Sequence, residues 1–269
     1  MRVARVRDEQ GRILYAVQQQ DGTLVVAEGD LLAGTLRATS APVAAVEWLP
    51  PVDPTAILCI GLNYAKHAAE GGAAVPKYPV LFMKNPAAAV GHGQPIVIPK
   101  VCDDEVDYEA ELVVVIGKRA RDVRKEEAVH YILGYTAGND VSARRWQAER
   151  GGSQWNRGKG FDTFAPMGPV LVTPDEISNP NALLIRSELN GREMQCSNTS
   201  DMIFDVPTLV AFLSEDTTLL PGTVIMTGTP EGVGWMRKPR VTLHPGDSVT
   251  IDIEHIGRLT NPVVAADKT

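Results

Sequence analysis

Apolar positions fall in short runs along this chain, and few of the runs are long enough for a helix of several turns. Alternation predicts strands over 3–6, 13–17 and 24–27, with Glu9-Gln10-Gly11 and Asp21-Gly22 as the turns between them. Pro50, Pro51 and Pro54 then interrupt the pattern, because proline neither donates to a strand ladder nor continues a helix. That punctuation predicts a small N-terminal β domain over residues 1–53 and a larger domain over 54–269. In the second segment, 57–61 reads as a buried strand that enters a polar helical turn over 63–70, stopped by Gly71-Gly72. Strands follow over 80–83 and 96–98, about the turn Gly91-His92-Gly93. A β-branched run over 109–116 precedes a helix near 125–133, a strand over 135–140 and a polar helix over 142–150. Asn190-Gly191 between apolar runs predicts a type I′ hairpin, whose two central residues both need positive φ. Asp205 and Pro207 mark a helix start, and 224–226, 241–243 and 249–253 read as strands. Clustered strands and short helices predict a β-dominated α+β fold rather than a regular βαβ alternation.

Composition narrows the function classes. Twenty-six basic against 33 acidic side chains leave a formal charge of −7, which argues against a broad basic surface for nucleic acid or anionic lipid. An acidic ligand would therefore need a local cationic pocket. Cys59, Cys102 and Cys196 are far apart and lack C-x-x-C spacing, so no disulfide framework or thiolate zinc site is expected. The start of the chain lacks a signal-peptide apolar core, and no run approaches the ~20 apolar residues of a membrane span. A cytoplasmic location is the expectation. The glycine-rich stretches Gly151-Gly152 and Gly158-Lys159-Gly160 have neither P-loop nor dinucleotide spacing.

Candidate chemistry centres on Glu109-Ala110-Glu111. On a strand, i and i+2 share a face, so the two carboxylates project together and repel unless a cation or a proton intervenes. The same pair also reads as a strand beginning in water. Asp140 ends a strand-like run just before an expected helix; it reads as a third oxygen ligand for a hard cation or as a helix N-cap. His67 and Glu70, three apart on a helical turn, can form an oriented general base or be incidental surface neighbours. Lys159, among glycines and aromatics, can clamp an anion or snorkel to water. Arg144 and Gln147 share a face of the expected helix, and Thr227-Gly228-Thr229-Pro230 is a turn able to offer donors to an anion.

In order along the chain, these segments resemble the fumarylacetoacetate hydrolase family, specifically its short branch of acylpyruvate-type hydrolases and oxaloacetate decarboxylases or tautomerases. The resemblance runs from about residue 57 to 264. It rests on Gly61-Leu62-Asn63-Tyr64 with His67 and Glu70, Asp107-Tyr108-Glu109-Ala110-Glu111-Leu112, Asn139-Asp140-Val141-Ser142-Ala143-Arg144, Gly158-Lys159-Gly160-Phe161-Asp162, Ser197-Asn198-Thr199 and Thr227-Gly228-Thr229-Pro230-Glu231-Gly232-Val233-Gly234. It implies mixed β-sheets rolled around a central site, a small N-terminal β domain and a homodimer. It also implies Mg²⁺ or Mn²⁺ held by Glu109, Glu111 and Asp140, and His67 with Glu70 as an acid–base dyad on a segment that orders over substrate. By the same resemblance Lys159 stabilises an oxyanion or shuttles a proton, while Arg144, Gln147 and Thr229 bind the carboxylate end of a 2-oxo acid. The namesake hydrolase carries its histidine in a different local motif, with additional N-terminal sequence that this chain lacks. The leading expectation is C–C hydrolysis of acylpyruvate-like 2,4-dioxo acids. The alternative is decarboxylation, tautomerisation or isomerisation of oxaloacetate-like 2-oxo dicarboxylic acids, which shares an enolate with the first.

Overall fold

Three β-sheets organise the molecule. The computed structural model describes residues 1–72, 74–102 and 104–267. The chain opens with β1 (Arg2–Asp8), β2 (Ile13–Gln18), β3 (Leu24–Glu28), β4 (Arg37–Pro42) and β5 (Ala45–Leu49). It continues through β6 (Ala56–Gly61), α1 (Ala65–Glu70), β7 (Val80–Lys84), β8 (Ala89–Val90), β9 (Ile96–Ile98), β10 (Val106–Asp107) and β11 (Ala110–Ile116). Next come β12 (Ile132–Asn139), β13 (Ser142–Ala143), α2 (Arg144–Gln147), α3 (Trp155–Lys159) and β14 (Ala165–Val172). The last third holds β15 (Leu184–Leu189), β16 (Arg192–Asn198), α4 (Val206–Ser214), β17 (Thr223–Met226), β18 (Ser248–Ile253) and β19 (Gly257–Ala265).

The largest sheet runs β4-β3-β2-β1-β14-β12-β11-β17-β6-β7, with β5 on β1 and β8 on β14. It crosses the proline cluster: β1 pairs its Arg5–Asp8 half with β5, but Arg2 and Val3 with Val172 and Leu171 of β14. A second sheet, β16-β15-β18-β19-β9, packs against β11 and β12. Parallel pairs (β6 with β17, β8 with β14, β9 with β19) sit among antiparallel ones, so the sheets are mixed. Strand β11 is buried at every residue, and its alternation feeds two cores. Leu112, Val114 and Ile116 join Ile185, Ile251 and Ile253 on one side. Val113 and Val115 join Ile57, Phe82 and Met226 on the other. Glu109 and Glu111 continue the odd-numbered face.

The β-dominated expectation holds, but several local ones do not. The helix expected near 125–133 is a 3₁₀ segment, Lys125–Tyr131, and the next strand starts at Ile132, where β-branching and burial against β11 take over. The polar helix expected over 142–150 is replaced by β13, paired with β10, and by one four-residue helical turn. Residues 241–243 are not a strand. Strand β14 was hidden from pattern reading by Pro166 and Pro169, which lower strand propensity. Asn190 and Gly191 do take positive φ, 53° and 78°, as the hairpin requires.

Candidate active site

Register assembles the acidic cluster. Strands β11 and β12 are antiparallel with Ala110 opposite Asn139, so the residue before one strand faces the residue after the other. The Asp140 N–H donates to the Glu109 carbonyl at 2.9 Å. One oxygen each of Glu109, Glu111 and Asp140 lies within 4.8 Å of the other two, and all three residues are buried. Neither a strand end in water nor a simple N-cap describes them.

Cations surround two of the three carboxylates. The Lys159 ammonium, delivered by α3, donates to Glu109 Oε2 at 2.7 Å and to Asp140 Oδ2 at 2.6 Å. Lys84 Nζ, at the end of β7, lies 2.6 Å from Asp140 Oδ1 and donates to the carbonyls of Val141 and Phe164 at 2.9 and 2.6 Å. Arg144 donates to Glu109 Oε1 at 2.6 Å and twice to Asp107 Oδ2, at 2.9 and 2.7 Å. Burial pushes the Glu109 carboxyl up, but the charges of Lys159 and Arg144 outweigh it and hold the group well below the usual carboxylate range. Burial likewise disfavours charge on Lys159, and Asp140 and Glu109 outweigh it, so the side chain is held as an ammonium. Glu111 is different. Burial, reinforced by repulsion from Asp140 and Glu109, pushes its carboxyl well above the usual range. Its direct hydrogen-bond partner is the Gly228 N–H, at 2.8 Å. Among the described residues no cation pairs directly with Glu111, and three hard oxygen donors around that gap fit an oxygen-ligated divalent cation.

The Gly228 peptide can reach Glu111 because residue 228 has φ +100°, and a Cβ there would stand 2.7 Å from the Asn63 Cβ. Asn63 ties the same turn to β6: its amide donates to the carbonyls of Thr227 and Phe204 and accepts from the Phe204 N–H. Chain direction then carries α1 over the cluster. His67 Nδ1 lies 3.3 Å from Glu70 Oε2, and both Glu70 oxygens accept from the Gly232 N–H at 3.2 Å.

A chamber of about 140 Å³ opens on the carboxylates and is lined by His67, Glu109, Glu111, Asp140, Arg144, Gln147, Lys159 and Thr229, with Phe82 and Trp155 as apolar walls. Eight of the nine residues singled out in the sequence therefore meet at one cavity. Glu70 stands behind His67 instead. Outside lies a vestibule of about 380 Å³, sharing His67, Arg144, Gln147 and Trp155 with the chamber and adding Val233, Trp235 and Met236. Arg144, expected on a substrate carboxylate, spends four of its five N–H donors on Asp107, Glu109 and Gln147. Sequence reading gave no role to three residues that shape the site. Asp107 accepts from the Gly234 and Trp235 N–H groups besides Arg144; Lys84 and Gln195 are buried without contributing to any motif. Period two offered one signal for Lys84, which shares a strand face with buried Phe82.

Comparison with known proteins shows the family. Oxaloacetate tautomerase fahd2, mitochondrial, of Xenopus laevis is 48% identical over 215 residues, covering 80% of this chain and 67% of its own length. A structure titled 5-carboxymethyl-2-hydroxymuconate delta-isomerase from Mycobacterium smegmatis matches with a TM-score of 0.86 at 39% identity, covering 99% of this chain and 100% of that one. A 2-hydroxyhepta-2,4-diene-1,7-dioate isomerase from Mycobacterium marinum matches with a TM-score of 0.84 at 39% identity, with complete coverage of both. The family model described as fumarylacetoacetate (FAA) hydrolase C-terminal matches residues 56–264, the stretch that supplies every side chain of the chamber. The chain belongs to the fumarylacetoacetate hydrolase family.

Proposed function

We propose that this chain is an Mg²⁺- or Mn²⁺-dependent tautomerase or isomerase of oxaloacetate-like 2-oxo dicarboxylic acids. The observation that carries the reading is His67, backed by Glu70, facing a small chamber whose third carboxylate, Glu111, forms no ion pair among the described residues. Glu109, Glu111 and Asp140 would hold the ion, which supplies Lewis-acid polarisation of a 2-oxo group and so lowers the cost of forming its enolate. His67, oriented through Nδ1 by Glu70, presents its other ring nitrogen as the base that takes a proton from the carbon next to the ketone. The same nitrogen returns that proton to the enol oxygen or to a carbon further along the conjugated chain. Lys159 keeps Glu109 and Asp140 in place while charge develops nearby. Phe82 and Trp155 give the chamber two apolar walls that would limit water beside the reacting carbon, which favours moving a proton over adding water. The names of the tautomerase and isomerase relatives point the same way.

One observation favours hydrolysis of acylpyruvate-like 2,4-dioxo acids as a second reading: the vestibule is roomy enough for an acyl group beyond the chamber. Enol oxaloacetate decay and acylpyruvate cleavage, each followed by ultraviolet absorbance with Mg²⁺ and again with EDTA, separate the two. The expected outcome is metal-dependent acceleration of enol–keto exchange, lost in EDTA and reduced about 10²–10⁴-fold in His67→Ala, with metal binding retained. Cleavage of the acylpyruvate without acceleration of exchange reverses the assignment.

A further inference from the structure

We propose that Gln195 is a specificity-determining positioning residue: it turns the Thr229 hydroxyl into a hydrogen-bond donor aimed at the carboxylate of a bound 2-oxo acid. The inference rests on the proposed function, since it takes the chamber to hold such an acid.

Gln195 lies on β16, 1% exposed, and its side chain is fully engaged. Its Oε1 accepts from the Ala110 N–H at 3.0 Å. Its Nε2 donates to the Pro230 carbonyl and to Thr229 Oγ1, each at 2.8 Å. Backbone groups fix the orientation of this amide, because an N–H can meet only the oxygen end and a carbonyl only the nitrogen end. One lone pair of Thr229 Oγ1 is therefore occupied by a donor, and the hydroxyl hydrogen cannot turn toward Gln195. Among the described residues, Thr229 makes no hydrogen bond that gives this hydrogen an acceptor. Thr229 is 4% exposed and lines the chamber, where it is the one hydroxyl among the lining residues. Its hydrogen thus faces the ligand space, and a carboxylate oxygen is the acceptor that rewards it most. The same amide holds Ala110, between the two glutamates, so one side chain sets both the acidic strand and the hydroxyl opposite it. A buried residue with methionine in place of this amide would free Thr229 to rotate and leave the Ala110 N–H without its acceptor.

Oxalate binding in Mg²⁺, measured by calorimetry on the wild type, Gln195→Met, Thr229→Val and the double variant, tests the proposal alongside kcat and KM for oxaloacetate. Losing one hydrogen bond to a charged group predicts about 10- to 100-fold weaker oxalate binding in each single variant. The double variant is expected to be no weaker than either single one, because the two residues act on one hydrogen bond. KM is expected to rise more than kcat falls, a split that a purely structural defect would not produce. Wild-type oxalate affinity in Gln195→Met beside a weakened Thr229→Val, or losses that simply add, overturn the proposal while leaving the proposed function standing. Failure of the wild type to bind oxalate sinks both. Neutron diffraction from deuterated wild type with oxalate needs no variant to fold: deuterium on Thr229 Oγ1 directed at the oxalate supports the inference, and any other direction overturns it.

Discussion

Lys84 shows how much of this site depends on side chains outside any motif. Its ammonium is fully buried, donates to two backbone carbonyls and lies 2.6 Å from Asp140 Oδ1. Replacing it with methionine keeps the volume and takes from Asp140 one of its two buried cations, the other being Lys159. Breaking a buried pair in this way costs about 3–5 kcal/mol, far more than an exposed pair. Urea unfolding of Lys84→Met in EDTA is expected to show a loss of that order, with part of it restored by Mg²⁺; a loss under 1 kcal/mol would mean that Lys159 alone compensates Asp140. The sequence displayed the three acidic side chains because a strand forces i and i+2 together and because Asp140 ends its run. Asp107, which one motif contained without a role for it, Lys84 and Gln195 each act on partners at least 34 residues away, so local spacing does not reveal what they do, even where period two marks the face of Lys84.

At the scale of elements, legibility followed the strength of local rules. Strand β11 and the Asn190-Gly191 hairpin were readable because apolar alternation and positive φ act over a few residues. Strand β14 and the break after β13 were set by neighbours: β14 is held between β1 and β12, and β13 by two bridges to β10. The turn between β8 and β9 carries a pH-dependent contact that sequence reading treated only as a turn. His92 Nδ1 accepts from the Thr260 N–H of β19 at 3.1 Å, and its ring meets Trp48 of β5 edge-on at 5.8 Å. Accepting that bond requires an unprotonated Nδ1, and burial lowers the pKa of the ring from its usual 6.5. The unfolded chain therefore takes up this proton more readily than the native one, and the contribution of His92 to stability falls as pH drops below about 6.5. Urea midpoints at pH 7.5 and 5.5 are expected to fall more for the wild type than for His92→Asn, which can still accept at this position. Equal falls would show that the contact does not titrate.

The whole molecule has an acidic surplus, and the site shares it. Lys84, Arg144 and Lys159 gather at one chamber but pair with Asp107, Glu109 and Asp140, with Glu111 as a fourth carboxylate, so the local cationic pocket expected from composition is not what the protein side chains alone provide. No described helix is long and apolar enough to cross a membrane. A divalent ion that binds only the folded chamber would stabilise the entire chain by about 2.7 kcal/mol at a hundred times its Kd. At roughly 2–4 °C per kcal/mol for a chain of this size, EDTA is expected to lower Tm by roughly 5–10 °C. Scanning calorimetry with Mg²⁺ and with EDTA checks this, and superimposable traces would argue against an ion in the cluster. The short pairing of Arg2 and Val3 with β14 has a wider consequence. Strand β14 also pairs with β12, and β12 leads directly into Asp140, so only two interior strands separate the start of the chain from a carboxylate of the acidic cluster. Loss of the segment before the prolines would not remove a dispensable appendage; it would uncover Leu171 and Val172 at the far end of β14, beyond the part that β8 covers, for an extended peptide to zip onto.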